Sequence, residues 1–305
     1  MRTTTLEIPV ATPFRLDLTV SALRRLPTNL VDVYTQDGRY LRALGGFEKP
    51  VVVSVTQVRA DRLSVSVRGG GAREAREAVA IVSRMLGTER DLSDFHRHAR
   101  TIPWLSPLVR RMRGLRPPRY PALFEACVNA VLFQHVSLHA ASAILGRVVL
   151  TLGTRVEHDG MPLTVFPTME RFLGADEVEM REFGISAGKL ATLRRVGEAM
   201  AGGVLSEAIL DERSSAEAGL LLRGIKGIGP WTAAVILLRG MGRLDAFPGN
   251  DSGVAANLAL VAGGSLDAGV VAKSLGRQRG MLYFNLLLAR LEARGEIGRA
   301  SEVAT

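Results

Sequence analysis

The stretch from Gly219 to Gly253 constrains the fold of this chain most, because a tight glycine turn lies between two segments of helical character. Gly227 and Gly229 can turn the chain, since glycine adopts positive φ at little cost. Pro230 suits the first position of a helix, and Gly240 ends the run that follows. The pattern predicts a helix, a glycine turn and a second helix.

The start of the second helix is a predicted anion site. Its free backbone amides and the positive end of its dipole favour an anion, and in a basic protein the first candidate is a phosphate. A tight turn with no ligand remains an alternative. A dinucleotide fingerprint is a weaker one, because the third glycine is missing and no strand of β-branched residues precedes the turn.

A carboxylate after the second helix indicates chemistry rather than binding alone. Asp251 follows the breaker run Phe247-Pro248-Gly249-Asn250, so the loop can return it to the mouth of the site. A carboxylate beside a phosphate is unfavourable unless a reaction needs it. The alternative is that Asp251 caps the helix beginning at Ser252, because aspartate is a preferred N-cap.

These residues resemble the helix-hairpin-helix DNA glycosylases of base excision repair, and most closely their alkylated-purine, AlkA-type branch. Residues 121–150 are similar to the family's segment with the strand-penetrating loop, and Phe166-Pro167-Thr168 to the segment that follows. The matching positions in and after the turn are Gly227, Ile228, Gly229, Trp231, Thr232, Ala233, Arg239, Gly240, Phe247, Pro248 and Asp251.

The resemblance implies a monofunctional DNA glycosylase that flips alkylated purines out of duplex DNA and hydrolyses the N-glycosidic bond. Asp251 would be the catalytic residue, stabilising the oxocarbenium-like state or orienting water. The nearest competing acid, Asp245, precedes the breaker run and does not match the family's catalytic position. Relatives that form a Schiff base carry a lysine where this sequence has Trp231, so we expect no covalent intermediate.

The resemblance also assigns the base pocket to Trp231, Val235, Leu287 and Phe133. Val235 and Leu287 stand where well-studied members have aromatic residues, so the enzyme should depend on the lability of its substrate. We therefore expect good release of 3-methyladenine, slower release of 7-methylguanine and little of neutral hypoxanthine. The alternative for Trp231 is a core tryptophan beside the turn.

The expected DNA-binding residues are Gly227, Gly229, Thr232, Gln134 and His135. In the resembling family the position of His135 bears the residue that fills the gap left by the extruded nucleotide, often a leucine. A capping or surface histidine is the alternative. No metal site is expected, because His139 stands four residues from His135 with no third ligand. A monovalent cation bound by backbone carbonyls of the turn, as in similar proteins, stays open.

The whole sequence predicts an α+β fold: an N-terminal antiparallel sheet with a helix, TBP-like in layout, then two all-α subdomains carrying the helix-hairpin-helix motif. Predicted domains are 1–95, a Pro/Arg-rich linker 96–120, a helical domain 121–244 with the motif at 219–240, and a C-terminal helical segment 245–305. Everything after Tyr120 is predicted to be helical. Strand-like runs are Thr3–Val10, Phe14–Val20, Val31–Thr35, Tyr40–Leu44, Val51–Val58 and Arg62–Arg68, followed by a helix over Ala72–Leu86.

Composition favours a polyanionic partner. The formal charge is +9 and the isoelectric point about 10.5, which suits a polyanion. The resemblance implies that this partner is double-stranded DNA containing damaged bases. Arginines between positions 110 and 119 are either a DNA-contacting patch or a solvated linker. The single Cys127 permits neither a disulfide nor a four-cysteine iron–sulfur cluster. With no signal or membrane segment in view, we expect a cytoplasmic monomer without membrane contact.

Two other functions stay open. One is a non-catalytic helix-hairpin-helix protein that only binds DNA phosphates. The other is a hydride-transferring nucleotide enzyme, which the absence of a dinucleotide-binding glycine fingerprint disfavours. The discriminating question is whether Asp251 faces a cavity beside Trp231.

Overall fold

A computed structural model describes residues 2–249, 252–264 and 266–298 of the chain. Its strands are β1 (Thr3–Pro9), β2 (Val33–Tyr34), β3 (Tyr40–Leu44), β4 (Val51–Arg59), β5 (Arg62–Arg68), β6 (Thr154–His158) and β7 (Met161–Val165). Its helices are α1 (Leu16–Arg24), α2 (Ala72–Leu86), α3 (Ser93–Arg100), α4 (Ser106–Arg111), α5 (Leu123–Leu132), α6 (Leu138–Leu152), α7 (Met169–Leu173), α8 (Glu177–Glu182), α9 (Ala187–Ala201), α10 (Glu207–Asp211), α11 (Ser215–Arg223), α12 (Pro230–Arg239), α13 (Ser252–Ala262), α14 (Ala268–Ser274) and α15 (Gly280–Ala293).

The first five strands form an antiparallel sheet in the order β1-β5-β4-β3-β2. Leu63, Val65 and Val67 of β5 are fully buried on one face, because side chains alternate along a strand. The buried side chains of α2 belong to the same core cluster. The predicted α+β class, the antiparallel sheet and the helix over Ala72–Leu86 are confirmed.

The strand predicted over Phe14–Val20 is wrong, because this segment enters α1 at Leu16. The alternation of Leu16, Leu18 and Val20 with polar residues is typical of a strand, but the helix is buried nearly all round, including Thr19 and Ser21. Only Asp17 and Arg24 of this helix are partly exposed, so its polar stripe is too narrow to outweigh the alternation. The sequence pattern therefore pointed to the wrong element.

The purely helical fold predicted after Tyr120 is also wrong. Strands β6 and β7 form an antiparallel hairpin whose register pairs Thr154 with Val165 and His158 with Met161. Leu163 and Val165 pack on Leu41 and other residues of the large sheet. The hairpin thus covers a surface of the large sheet that would otherwise be exposed to water. Because this packing is long-range, the local sequence does not predict it.

The helices share one core with part of the N-terminal region. Leu18 and Ala22 of α1 belong to the same buried cluster as the side chains of α5, α12 and α15. The guanidinium of Arg239, at the end of α12, is fully buried and donates to the carbonyls of Ala22 and Leu23 at 3.1 and 2.8 Å. In the described ranges no helix combines the length and the apolar character needed to cross a membrane.

Candidate active-site cleft

The glycine turn, residues 224–229, joins α11 to α12. Gly227 has φ 101°, and a Cβ atom added there would lie 1.9 Å from Thr192 Oγ1 of α9. Both the backbone and the space therefore require glycine at this position. Gly229 is different, because its φ of −88° and ψ of 179° are extended and a Cβ would meet nothing within 4 Å. The positive φ considered for both glycines occurs only at Gly227.

The first turn of α12 follows directly on the glycine turn. Gly229 occupies the N-cap without a side chain to accept from the helix amides, and Pro230 follows at the helix start. Trp231 comes next and is half-buried, whereas Thr232 is almost fully buried. A helix start of this kind brings backbone amides and the positive end of the helix dipole to the glycine turn.

A second loop, residues 133–137, faces the glycine turn and separates α5 from α6. The Lys189 ammonium donates to the Leu132 carbonyl at 2.9 Å and so holds the end of α5. Ser137 caps α6 by accepting from the Ala140 amide at 3.2 Å. Between these fixed ends His135 has φ 55° and an exposed side chain. The interruption of the 121–150 segment predicted at Gln134 to Ser137 is thus present, with His135 at its tip.

Gln134 connects the two loops. Its amide nitrogen donates to the Gly227 carbonyl at 3.1 Å and to Thr232 Oγ1 at 2.6 Å. One side chain thereby holds the 133–137 loop against both the glycine turn and the start of α12. Because the Gln134 amide and the Thr232 hydroxyl bond to each other, these two predicted contact residues fix the shape of the site.

A cleft of about 1170 Å³ opens between these loops, α13 and α15. The predicted site residues that line it are Phe133, Gln134, His135, Gly227, Gly229, Trp231, Thr232 and Leu287. Val235 does not line it. Its side chain is 1% exposed and belongs to the helical core, because α12 from Val235 to Arg239 is buried on all sides.

The lining residues that were not predicted from the sequence include Arg25, Asn257, Tyr283 and Arg290. Tyr283, Leu287 and Arg290 recur at helical spacing on α15, so the choice of Leu287 alone could have pointed to the other two. Arg290 also donates to Asn257 Oδ1 of α13 at 3.0 Å. Arg25 follows α1, in a region whose helix was mistaken for a strand, and its guanidinium lies 4.0 Å from the centre of the Phe133 ring.

The catalytic candidate Asp251 lies outside the described residues. The helix that follows it, α13, begins at Ser252, and its first turn lines the cleft through Gly253 and Val254. Among the lining residues that the structure describes, none is aspartate, glutamate or lysine. The competing Asp245 accepts from Ser215 Oγ at 2.7 Å and does not line the cleft.

The arginines between positions 110 and 119 do not form one surface patch. Arg111 pairs with Glu292 at 3.0 Å, and Arg119 donates to the Met241 carbonyl at 2.9 Å. Arg116 is buried and donates to the Ala11 carbonyl. These three arginines therefore hold the 111–119 segment between the N-terminal region and the helices. His139, the other half of the considered metal spacing, pairs with Glu296 at 2.7 Å.

Comparisons with known proteins agree with this architecture. The chain is 31% identical over 178 residues to a DNA-3-methyladenine glycosylase of Bacillus subtilis, a match covering 58% of this chain and 59% of that protein. It is 30% identical over 255 residues to a probable bifunctional transcriptional activator/DNA repair enzyme AlkA of Mycobacterium tuberculosis, covering 83% of this chain and 50% of that protein. The chain thus spans only between half and three fifths of these curated relatives. No family model matches.

A solved structure extends the likeness to the fold. The 3-methyladenine DNA-glycosylase from Archaeoglobus fulgidus superposes with a TM-score of 0.80 at 25% identity, over 93% of this chain and 98% of that one. Similarity in sequence therefore coincides with similarity in fold across most of the chain. In sequence and in fold the chain resembles the helix-hairpin-helix DNA glycosylases of the AlkA type.

Proposed function

We propose that this chain is a monofunctional DNA glycosylase that excises alkylated purines from duplex DNA and so initiates base excision repair. The observation that carries the proposal is the cleft itself. It joins an anion-binding helix start, an exposed loop tip and aromatic side chains in one place. The names of the relatives favour the same activity.

Duplex DNA is the proposed partner on electrostatic grounds. The amides at the start of α12 would bind a backbone phosphate, with the glycine turn as the helix-hairpin-helix contact. Arg25 and Arg290 line the cleft and add positive charge to it. His135, exposed at the loop tip, is placed to enter the space that an extruded nucleotide leaves.

The flipped base would stack in the cleft on aromatic rings. Phe133, Trp231 and Tyr283 line it, and base–aromatic stacking contributes roughly 1–3 kcal/mol per base. A ring-alkylated purine is a cation, and the charge of Arg25 over the Phe133 ring opposes a second cation there. Trp231 is therefore the preferred stacking partner, through a cation–π contact.

Asp251 is the proposed catalytic group. It directly precedes the helix whose first turn lines the cleft, and the described lining offers no other carboxylate. A fixed carboxylate there would stabilise the positive charge that develops on the deoxyribose as the N-glycosidic bond breaks, or orient the attacking water. Capping of α13 and catalysis are compatible roles, because a cap fixes the carboxylate.

The proposed lesion range follows from leaving-group chemistry. Alkylation at N3 of adenine or N7 of guanine makes the purine cationic and labile, so modest stabilisation of the sugar cation suffices. We propose good release of 3-methyladenine, slower release of 7-methylguanine and little release of hypoxanthine. Val235 does not contribute to this lesion range, since its side chain is buried in the core.

Three carbonyls of the glycine turn already accept a hydrogen bond, which leaves each of them one lone pair for a monovalent cation. The oxygens of Ile225, Lys226 and Gly227 already accept from the Ile228 amide, the Arg195 guanidinium and the Gln134 amide, respectively. A cation at the Lys226 oxygen would be repelled by Arg195. The proposed mechanism uses no such ion.

Incubation with methylated duplex DNA, followed by chromatography of the released bases, tests the function. We expect free 3-methyladenine and 7-methylguanine. Tight duplex binding with no free base would instead identify a non-catalytic DNA-binding protein and contradict the proposal.

Borohydride treatment during the same reaction tests the monofunctional assignment. No lysine lies among the described lining residues, and Lys226 sits exposed in the turn, so we expect no trapped protein–DNA adduct. An adduct and strand nicking that Lys226→Ala abolishes would show a Schiff-base mechanism.

A further inference from the structure

A second cleft, of about 550 Å³, lies at the other end of α1 from the first. It is lined by Thr12 and Pro13, which precede α1, whereas Arg25 of the first cleft follows α1. The nine residues of α1 span about 13 Å at 1.5 Å per residue. No residue lines both clefts, so the second cleft is a separate feature.

The second cleft is strongly basic. Its lining includes Arg90, Arg97, Arg100, Arg113, Arg116 and His96. Arg97 pairs with Asp94 at 2.6 Å. In the part of the chain that the structure describes, no carboxylate forms an ion pair with Arg90, Arg100, Arg113 or Arg116. This concentration of positive charge is unfavourable unless an anion compensates it.

Asp91 is the one carboxylate in the described lining, and it already has partners. Its two oxygens accept from the Ser93 amide at 2.9 Å and the Ser93 hydroxyl at 2.8 Å. These bonds lower the pKa of Asp91 and keep it ionised at the start of α3. One negative charge set against five arginines leaves the cleft with a large positive excess.

Two buried polar atoms of residues that line this cleft lack hydrogen-bond partners. Arg116 is 2% exposed, and while its terminal nitrogen donates to the Ala11 carbonyl, its Nε is buried without an acceptor. His96 Nε2 is likewise buried and unpartnered. Leaving such groups unsatisfied is unfavourable, and a rotation of either side chain toward a bound oxyanion would let it donate.

We propose that this second cleft binds a phosphate-class oxyanion, held by Arg100, Arg113 and Arg116 with His96 as a neutral donor. Its size suits a phosphorylated small molecule or a phosphate of a nucleic-acid backbone, and both present the same oxyanion chemistry. The site is independent of the glycosylase cleft, so failure of either proposal leaves the other standing.

Titration of the full chain with inorganic pyrophosphate at low salt, followed by calorimetry, tests the proposal. We expect saturable binding that Arg100→Gln with Arg113→Gln weakens about tenfold or more, because each charged hydrogen bond contributes substantially. The matched control is Arg76→Gln with Arg155→Gln, which removes the same charge from exposed positions outside the cleft. Absence of saturable binding, or equal weakening in both double variants, overturns the site.

A second readout comes from the His96 ring. Burial, followed by the charges of Arg116, Arg100 and Arg113, lowers the pKa of His96 to about 4, and Asp91 opposes this. A bound anion should offset the arginine charges and raise that pKa, as NMR titration of the ring would show. An unchanged His96 pKa at saturating pyrophosphate would contradict binding in this cleft.

Competition with a short undamaged duplex separates the two sources of the oxyanion. If the duplex displaces pyrophosphate, and the Arg100/Arg113 variant weakens duplex binding more than the control variant does, the cleft takes a DNA phosphate. If pyrophosphate binds without affecting duplex affinity, it takes a free phosphorylated compound. Both results support an oxyanion site.

Discussion

At the residue scale, Gly227 carries the tightest steric requirement of the site. Gly227→Ala would place a Cβ 1.9 Å from Thr192 Oγ1 at φ 101°, so we expect a loss of about 2 kcal/mol or more in the free energy of unfolding. Gly229→Ala is the matched control, since its Cβ meets nothing within 4 Å, and should stay within about 1 kcal/mol. Urea denaturation of both variants measures the difference. Equal stabilities would show that the turn adapts to a side chain.

His96 should make folding sensitive to acid. Its pKa is lowered from 6.5 to about 4 by burial first and by neighbouring arginines second, so the folded state binds this proton less readily than the unfolded state. The contribution of His96 to stability is therefore present above pH 6.5 and is lost as the pH falls through about 4. Between these values the wild type should lose more stability than His96→Gln in urea denaturation without added phosphate. If the free energies of unfolding of the two proteins fell equally with pH, the lowered pKa of His96 would be contradicted.

The sequence could predict those site residues whose role is tied to a local motif. Gly227, Trp231 and the 133–137 loop residues were found because a turn, a helix start and an interrupted apolar run are visible in the chain. Val235 was misplaced because α12 is apolar on every side, so hydrophobicity does not show which face meets the cleft. Arg25 and Asn257 reach the cleft from elements distant in sequence, which no local pattern indicates.

At the element scale, the 133–137 loop presents His135 to the outside. If His135 fills the gap of an extruded nucleotide, His135→Ala should weaken binding to duplex with an abasic-site analogue more than to intact duplex, because only the former offers that space. Val136→Ala, which trims a neighbouring side chain that is 39% exposed, is the control. Binding titrations of each variant with the abasic-analogue duplex and with intact duplex measure this difference. Equal weakening on both would make His135 an ordinary surface contact.

A buried ionic network joins the sheet to α5. Arg42 of β3 is 1% exposed and pairs with Asp32 at 2.7 Å and with Glu125 of α5 at 2.6 Å. Glu125→Ala should destabilise the fold by about 3–5 kcal/mol, because it leaves a buried charge undercompensated. Glu177→Ala breaks the exposed pair with Arg194 and should cost about 1 kcal/mol or less. If Glu125→Ala and Glu177→Ala lost similar stability in thermal or urea unfolding, the buried network would contribute no more than an exposed ion pair.

A strand or helix could be predicted from the sequence where one of its faces is buried and the other is exposed. β5 and α2 show clean periodicities and were placed with their observed bounds. The mistakes at α1 and at the β6–β7 hairpin have one cause, since both are determined by the surfaces they cover rather than by their own pattern. Local sequence carries little information about such long-range packing.

At the scale of the whole molecule, the N-terminal region and the helices are joined through buried polar groups. Arg239 donates to carbonyls near the end of α1 while its guanidinium lies 5.1 Å from the Tyr120 ring centre and 5.7 Å from that of Phe284. Arginine is rarely buried, so composition alone suggests a surface role for such residues. Here it fixes α1 against α12 and α15, and thereby the positions of the two clefts.

In the proposed mechanism, Asp251 helps to break the N-glycosidic bond of a nucleotide bound in the cleft beside Trp231. Single-turnover release of 3-methyladenine from methylated duplex by Asp251→Asn should be roughly 10²- to 10³-fold slower than by the wild type, with duplex affinity and circular dichroism unchanged. Asp245→Asn, at an acid bonded to Ser215 outside the cleft, should release bases at close to the parental rate. Release by Asp251→Asn at the parental rate would reduce Asp251 to a helix cap and contradict the mechanism.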